Sequence, residues 1–478
     1  MKIVIAALLV MLQFSVSVQA EQLTSLMAEA DQPDMRTDGF GYIHLVFTAW
    51  DATAGERGLY YRLLAPDSTV VIDTTRIDDG GSGNPASFPS MALDAAGQVY
   101  VVWQAGSGGS TGIYYLRLDT LQDDRDGSAA DPADVNFRPV SDRLLSAAGA
   151  MHPRLALDAA LGLHVVWESG CPGAGQAQYL KIDANGDPAN STGLVDLGSP
   201  SGRCNVQPDV AADSRGHAHV VFTTIDPTDI TATEEVFYAM LDGADSTLRI
   251  AETMLSPGGD SLLAGSATIS VNVADGRMLV VDKEQTGSGG AGTEVIVLSE
   301  LQPGLVTQDG SPVDINVLRS SRVILGLGKA TSYWQVFARA GADRRLHILY
   351  TDVDVADVTV CAPGSYGPFT INHAHVIFDG RVLVRETLTN TATSTDCLLQ
   401  TSVVPGGNRL VWADSASGSQ EIESRYFSRA DAGDRGLTCT LSGHGTMKSA
   451  GDAWLLLLGL ALLGVKTRLR RQASSSRL

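Results

Sequence analysis

The sequence predicts an all-β protein folded as a β-propeller, and three observations predict it. One spacing recurs four times: a proline, four residues, an aspartate, eight residues and a large aromatic. It occurs at Pro33/Asp38/Phe47, Pro89/Asp94/Trp103, Pro153/Asp158/Trp167 and Pro208/Asp213/Phe222. Each copy sits in a unit of roughly 55–65 residues with four apolar stretches, the signature of a four-stranded blade. Composition agrees: 50 glycines and 6% aromatics suit short strands and tight turns, and 44% apolar residues can fill a large core.

Taken in order, the second copy shows the logic of a unit. Met91–Leu93 is a first strand, which Pro89 should start, because a missing N–H is tolerated there. Asp94-Ala95-Ala96-Gly97 is a turn in which Asp94 caps the following amides and Gly97 takes positive φ. Val99–Trp103 is a second strand. Third strands follow at Leu59-Tyr60-Tyr61, Ile113-Tyr114-Tyr115, Gln178-Tyr179-Leu180 and Val236-Phe237-Tyr238. Fourth strands precede the next proline, as at Val70-Val71-Ile72 and Leu194–Leu197. In this reading the proline starts a strand, the aspartate makes a turn and the aromatic fills the space between blades.

Later copies are degenerate: Ile269–Val281, Trp334–Tyr350 and His373–Val384, followed by Arg409–Trp412 and Ser424–Phe427. Residues 373–428 read as one long blade or two short ones. The total is seven blades, with six or eight as alternatives. Gln22–Met27 stands where a fourth strand belongs and could pair with the last blade, closing the ring and removing a sheet edge.

The ends have a different character. Residues 1–20 carry Lys2, an apolar run from Ile3 to Leu12, and Val18-Gln19-Ala20, which together read as a secretory signal peptide cleaved after Ala20. The propeller occupies residues 21–430. Residues 431–452 are a small, polar linker and sorting motif, residues 453–465 a short apolar transmembrane helix, and residues 466–478 a basic cytoplasmic tail. Thirteen apolar residues fall short of the ~20 that span a bilayer comfortably. Cys439, the helix and the basic cluster Lys466, Arg468, Arg470 and Arg471 resemble the CTERM class of Gram-negative sorting signals. That resemblance implies a tail-processing membrane protease and a location in the periplasm, on the cell surface or outside the cell after cleavage. An uncleaved anchor is the alternative.

The chain has a net charge of −20. Residues 21–447 alone hold 27 basic against 53 acidic residues, which disfavours nucleic acid and anionic lipid as partners. Export permits disulfides, and the spacing of the five cysteines suggests Cys171–Cys204 and Cys361–Cys397, though four cysteines allow three pairings.

Few residues invite a chemical reading. His44, His164, His219 and His347 each lie three residues before the aromatic position, one per unit, which favours a structural role over a metal ring. The pairs His217/His219 and His373/His375 each share a strand face. Asp183, Asn185 and Asp187 begin like a calcium loop, but the closing glutamate is missing and a plain turn is expected there. Calcium is the one cofactor candidate. No catalytic motif such as HExxH or G-x-S-x-G occurs, and no catalytic residue is assigned. Asp51, Glu168, Asp282, Glu284, Asp352 and Glu386 lie just after second strands, where a pair could serve glycoside hydrolysis.

The repeat core resembles the propellers of secreted sialidase-like and BNR-like proteins. The Asp-box S-x-D-x-G-x-T-W of that group is absent, and no arginine cluster for a carboxylate can be placed by sequence. The resemblance implies the fold and not the activity. The expected function is a non-enzymatic binding or adhesion module for a glycan or protein, acting through Gly/Ser-rich loops. A diverged glycoside hydrolase or lyase, and a structural envelope protein, are the alternatives.

Overall fold

The chain divides into two units, Met1–Asp434 and Arg435–Leu478. The computed structural model describes residues 21–22 and 28–426, except 79–83, 108–109, 120–139, 147, 171–174, 190–192, 199–202, 227–234, 257–266, 272–276, 287–292, 302–319, 327–330, 341–344, 355–368, 378–381, 392–408 and 415–420. The signal segment, the whole apolar tail, Cys171, Cys361, Cys397 and Cys439 lie outside the described residues. Among the described residues no helix is long and apolar enough to cross a membrane.

The fold is an all-β propeller. A two-residue β1 (Glu21–Gln22) precedes the first blade: β2 (Ala28–Thr37), β3 (Ile43–Asp51), β4 (Glu56–Leu64) and β5 (Val70–Arg76). The second blade is β6 (Ala86–Leu93), β7 (Gln98–Ala105), β8 (Gly112–Asp119) and β9 (Val140–Leu144). The third is β10 (Ala150–Leu157), β11 (Leu163–Ser169), β12 (Gln176–Ile182) and β13 (Val195–Leu197). The fourth is β14 (Cys204–Ala212), β15 (Ala218–Ile225), β16 (Glu235–Leu241) and β17 (Leu248–Ser256). The fifth is β18 (Thr268–Val271), β19 (Met278–Thr286), β20 (Thr293–Leu301) and β21 (Ser320–Gly326). The sixth is β22 (Thr331–Ala340), β23 (Arg345–Asp354), β24 (Phe369–Ile377) and β25 (Val382–Thr391).

Each of these six sheets is an antiparallel meander in chain order. The first strands of successive blades lie against one another, so they form the inner wall. A seventh sheet has three strands, β1, β27 (Glu421–Tyr426) and β26 (Arg409–Asp414), in that order. Glu21 pairs with Ser424 and Gln22 with Glu423, so the start of the chain joins its last sheet and closes the ring. Six complete blades are the lower of the two alternatives to seven, and the three-stranded sheet stands beside them. Residues 373–391 belong to the outer half of the sixth blade rather than to a blade of their own, because β24 pairs with β23 across nine residues.

The core is a ring of clusters between neighbouring sheets, as expected when each sheet buries both faces. Trp103 packs with Val46, Leu59 and Tyr61 between the first two blades. Trp167 fills the next gap with Tyr100 and Tyr115, and Phe222 the one after with Val166 and Tyr179. Cys204 is fully buried at the start of β14 and disulfide-bonded.

The prolines correct one expectation. Pro33, Pro89, Pro153 and Pro208 do not start strands; each sits inside a first strand, at a bulge. The residue before each is left-handed: Gln32, Phe88 and His152 at φ 52° and Gln207 at φ 49°. Pairing registers break across those positions, between Asp31 and Asp34, Ser87 and Ser90, Met151 and Arg154, and Val206 and Asp209. Proline has no N–H to give the ladder, so a bulge costs least there. Four non-glycine residues in this conformation still cost about 1 kcal/mol each or more. Something must hold them, and the neighbouring blade does. The turned amide of Phe88 donates to Gln32 Oε1 (2.6 Å), that of His152 to Gln104 Oε1 (3.2 Å), and that of Gln207 to Glu168 Oε2 (2.8 Å).

At the opposite end of the inner wall, the repeat aspartates do make turns. Asp158 Oδ1 accepts from the amides of Ala160 and Gly162, as Asp94 Oδ1 does from Ala96 and Gln98. The other oxygen faces the repeat histidine. His164 lies between Asp158 (3.2 Å) and the Tyr179 hydroxyl (2.7 Å), and His219 between Asp213 (3.5 Å) and Tyr238 (2.7 Å). His44 repeats the arrangement with Asp38 and Tyr61, and in the second blade Tyr100 reaches Asp94 directly. His347 instead stacks on His373, and His375 meets it at a tilt. These buried histidines brace strands.

Their titration sets an acid limit. Burial lowers the pKa of His164 and His219 below 6.5, more than their aspartates raise it. Burial pushes Asp158 and Asp213 up, but hydrogen bonds from the histidines, and at Asp158 from Lys181, hold both well below 3.8. In both cases the folded state binds fewer protons than the unfolded chain, so stability is full above the unfolded pKa and is lost as pH falls. The melting temperature should therefore be level above about pH 7 and fall from about pH 6.5, then again below about pH 4. In an H164Q/H219Q variant the first fall should shrink; identical pH profiles for the two proteins would contradict the account.

Candidate functional site

The inner strands β2, β6, β10, β14, β18 and β22 place two rungs of side chains around the axis. The upper rung holds the residues directly after the prolines: Asp34, Ser90, Arg154 and Asp209, opposite Val46, Val102, Val166 and Val221. The lower rung, opposite the histidine position, holds Arg36 (against His44) and Arg339 (against His347).

Most of the upper rung ties blades together. Asp34 Oδ2 accepts from the Met91 amide (2.8 Å), Ser90 Oγ from Leu155 (3.1 Å), Asp209 Oδ2 from Ile269 (3.0 Å) and Thr268 Oγ1 from Ala338 (3.1 Å). Each acceptor serves the next blade. The third blade breaks the series, because Arg154 cannot accept.

The charges of this region converge although their blades are far apart in sequence. Arg339 grips Asp209 with both terminal nitrogens, at 2.6 and 3.0 Å. Arg36 donates to Asp34 Oδ1 at 2.7 Å. Both carboxylates are thereby used on both oxygens. Arg154 has no hydrogen bond or ion pair among the described residues, and its guanidinium carbon lies 5.8 Å from the centre of the Phe337 ring. Burial lowers the pKa of Arg36 and Arg154 from the ordinary arginine value, and Arg339 acts on both as a like charge. For Arg339 itself, burial works against the charge, but Asp209 outweighs it and raises the pKa. Groups from the first, third, fourth and sixth blades can share one electrostatic neighbourhood only at the axis. Among the described residues, three guanidiniums stand against two carboxylates there, inside a chain of net charge −20. Arg36 and Arg339 keep 23% and 22% of their side-chain surface open, so a solute can reach the cluster.

One step along the same inner strand, across Pro153, lies His152. Its Nδ1 is 2.7 Å from Glu168 Oε1, and its ring meets Phe88 edge-on at 4.2 Å. Glu168 is buried, its second oxygen already accepting from Gln207, while His152 is a quarter exposed. A buried carboxylate behind a half-open imidazole fixes the ring and can support proton transfer at Nε2.

Of the carboxylates singled out after second strands, the three whose side chains are described have different surroundings. Glu168 reaches the axial mouth. Asp51 is held on the outer side by Arg76 (3.0 Å), which also takes Glu56 and Asp78. Asp282 is buried on β19. The side chains of Glu284, Asp352 and Glu386 lie outside the described residues. At the calcium candidate, Asp183 caps the amides of Asn185 and Asp187, while Arg143 pairs with Asp187 and with the Asn185 carbonyl. A guanidinium holds that turn. No group of three or more metal-type ligands occurs among the described residues. Arg36, Arg154, Arg339, Asp34 and Asp209 were not legible as a site, although Asp34, Arg154 and Asp209 each stand one place after a repeat proline.

No family model and no curated protein matches the chain. Solved structures of propeller type do. An ulvan lyase, a polysaccharide lyase solved with a -[GlcA(1-4)Rha3S]- ligand, is 10% identical over 87% of this chain and 98% of its own, with a TM-score of 0.46. A protein of unknown function from Dyadobacter fermentans is 13% identical over 70% and 93%, at 0.43. A Hadza microbial sialidase is 12% identical over 67% and 63%, at 0.39. At these values the likeness says nothing of substrate or activity.

The two kinds of arginine should behave in opposite ways on substitution. Removing Asp209 strands Arg339 and the Ile269 amide, so D209A should cost about 3 kcal/mol in urea unfolding. R154M removes a half-buried charge that has no ion pair among the described residues while keeping the methylene bulk, and should leave stability equal or higher. A large loss in R154M would show that Arg154 is structural.

Proposed function

We propose that the propeller binds a carboxylate-bearing glycan, such as a uronate polysaccharide, at its axial mouth. The observation that carries this reading is Arg154, a guanidinium with no hydrogen bond or ion pair among the described residues, where both neighbouring carboxylates already accept on both oxygens. A guanidinium fork suits a carboxylate bidentately, and Arg36 and Arg339 add to the attraction. A purely structural scaffold gains nothing from an unmatched charge at its centre. Export through residues 1–20 and retention or release through the 431–478 tail would present this site at the cell envelope, with Cys171–Cys204 and Cys361–Cys397 as its bridges. Mass spectrometry of the mature protein reads the termini and the bridges together.

A second reading rests on His152 and Glu168. A uronate whose carboxylate sits on Arg154 has its C5 proton acidified, and the imidazole could take that proton at Nε2; the C4–O glycosidic bond then breaks as C4=C5 forms, and the departing oxygen takes a proton from the imidazolium or from water, as in β-elimination by a lyase. In that case the protein turns the glycan over rather than holding it.

Affinity electrophoresis in gels containing polyuronate or neutral dextran separates these readings. Wild-type protein should be retarded by polyuronate alone, and R154M should migrate freely; retardation of R154M as strong as that of wild type would overturn the site. Ultraviolet absorbance of unsaturated uronate, appearing with wild type and lost in H152A, would establish the lyase. Binding without absorbance establishes the module.

A further inference from the structure

A second feature opens at the same end of the molecule, where the loops between second and third strands lie. Between the first and second blades is a cleft of about 500 Å³, lined among others by Trp50, Glu56, Arg57, Pro85, Ser87 and Gly106. That volume lies in the range of small-ligand sites.

Trp50 is unlike the other tryptophans whose burial is described. Trp103 and Trp167, at the repeat position, are buried, whereas Trp50 lies three residues beyond Phe47 and is 41% exposed. The polar walls are fixed in advance. Glu56 accepts from Arg76 at 2.9 Å, and Arg57 reaches Thr48 Oγ1 (3.3 Å) and Asp31 Oδ2 (3.4 Å). Asp31 precedes Gln32, whose side chain holds the bulge of the second blade.

A flat indole beside fixed hydrogen-bonding groups matches a pyranose. The axial C–H bonds of the sugar give it an apolar face for the ring, and its equatorial hydroxyls reach outward to donors and acceptors. We infer that the Trp50 cleft is a second sugar subsite, which holds another residue of the glycan chain whose carboxylate sits on Arg154. This inference rests on the axial reading above, and it makes chain length, not charge alone, the basis of recognition. Trp50 supplies the platform, and Arg57 and Glu56 orient the ring edge. Their preorganisation by Arg76, Asp31 and Thr48 reduces the entropy lost on binding.

Isothermal titration of the full-length mature protein with a uronate monosaccharide and a tetrasaccharide tests this. W50A should weaken the tetrasaccharide about tenfold and leave the monosaccharide unchanged, with W50Y restoring most of the loss. R154M should lose both ligands. Since Trp50 is half-exposed, W50A should melt with the wild type, which verifies folding. Unchanged tetrasaccharide affinity in W50A, with R154M inactive, overturns the cleft and leaves the axial site standing. Equal weakening of both ligands in W50A also overturns a separate subsite. Full binding by R154M overturns the axial reading itself.

Discussion

The centre of this molecule depends on a bulge before each repeat proline. A regular first strand would direct its amides along its own sheet. The left-handed residue at Gln32, Phe88, His152 or Gln207 breaks that ladder, and at the last three the freed amide points to a side chain of the preceding blade. The proline makes the break inexpensive, because it removes a donor that the bulge would otherwise strand. The result is a chain of blade-to-blade hydrogen bonds at the mouth, with a second beneath it through Asp34, Ser90, Asp209 and Thr268. Propeller blades share no backbone ladder with their neighbours except at closure. These contacts, together with the apolar clusters, replace one.

The same rung explains how a site arises in a scaffold. Where the residue after the proline is Asp or Ser, it serves the neighbouring blade. Where it is Arg154, the structural duty is dropped and a cation is exposed to the axis instead. His152 shows the same exchange on the other side of Pro153: its amide satisfies the scaffold while its imidazole, backed by Glu168, keeps a quarter of its surface open. One tripeptide of the third blade thus carries both groups that could meet a ligand. In a strongly acidic protein, a polyanionic ligand of the kind proposed would be repelled at long range and would have to be drawn in locally by the three arginines.

The architecture was legible because it repeats. Proline, aspartate and aromatic recur at constant spacing, and ring closure by the first residues followed from a strand missing at one end and spare at the other. The prolines misled because their local preference permits both a strand start and a bulge; tertiary pairing decides for the bulge. The site stayed hidden for a related reason. Asp34, Arg36, Arg154, Asp209 and Arg339 span some three hundred positions and differ in type from blade to blade, so no local pattern joins them. Glu168 could be singled out by its place after a second strand, whereas its partner His152 stands before a repeat proline, outside the position where the other histidines recur. The histidines that did form a pattern, His44, His164 and His219, are braces.

A structure of the protein with an oligouronide tests the central claim most directly. The account predicts a carboxylate bridged by the Arg154 guanidinium at the axis, within hydrogen-bond distance, with His152 beside the same sugar. An oligouronide bound on the outer face of the blades, with Arg154 untouched or paired to a carboxylate of the protein itself, would contradict it.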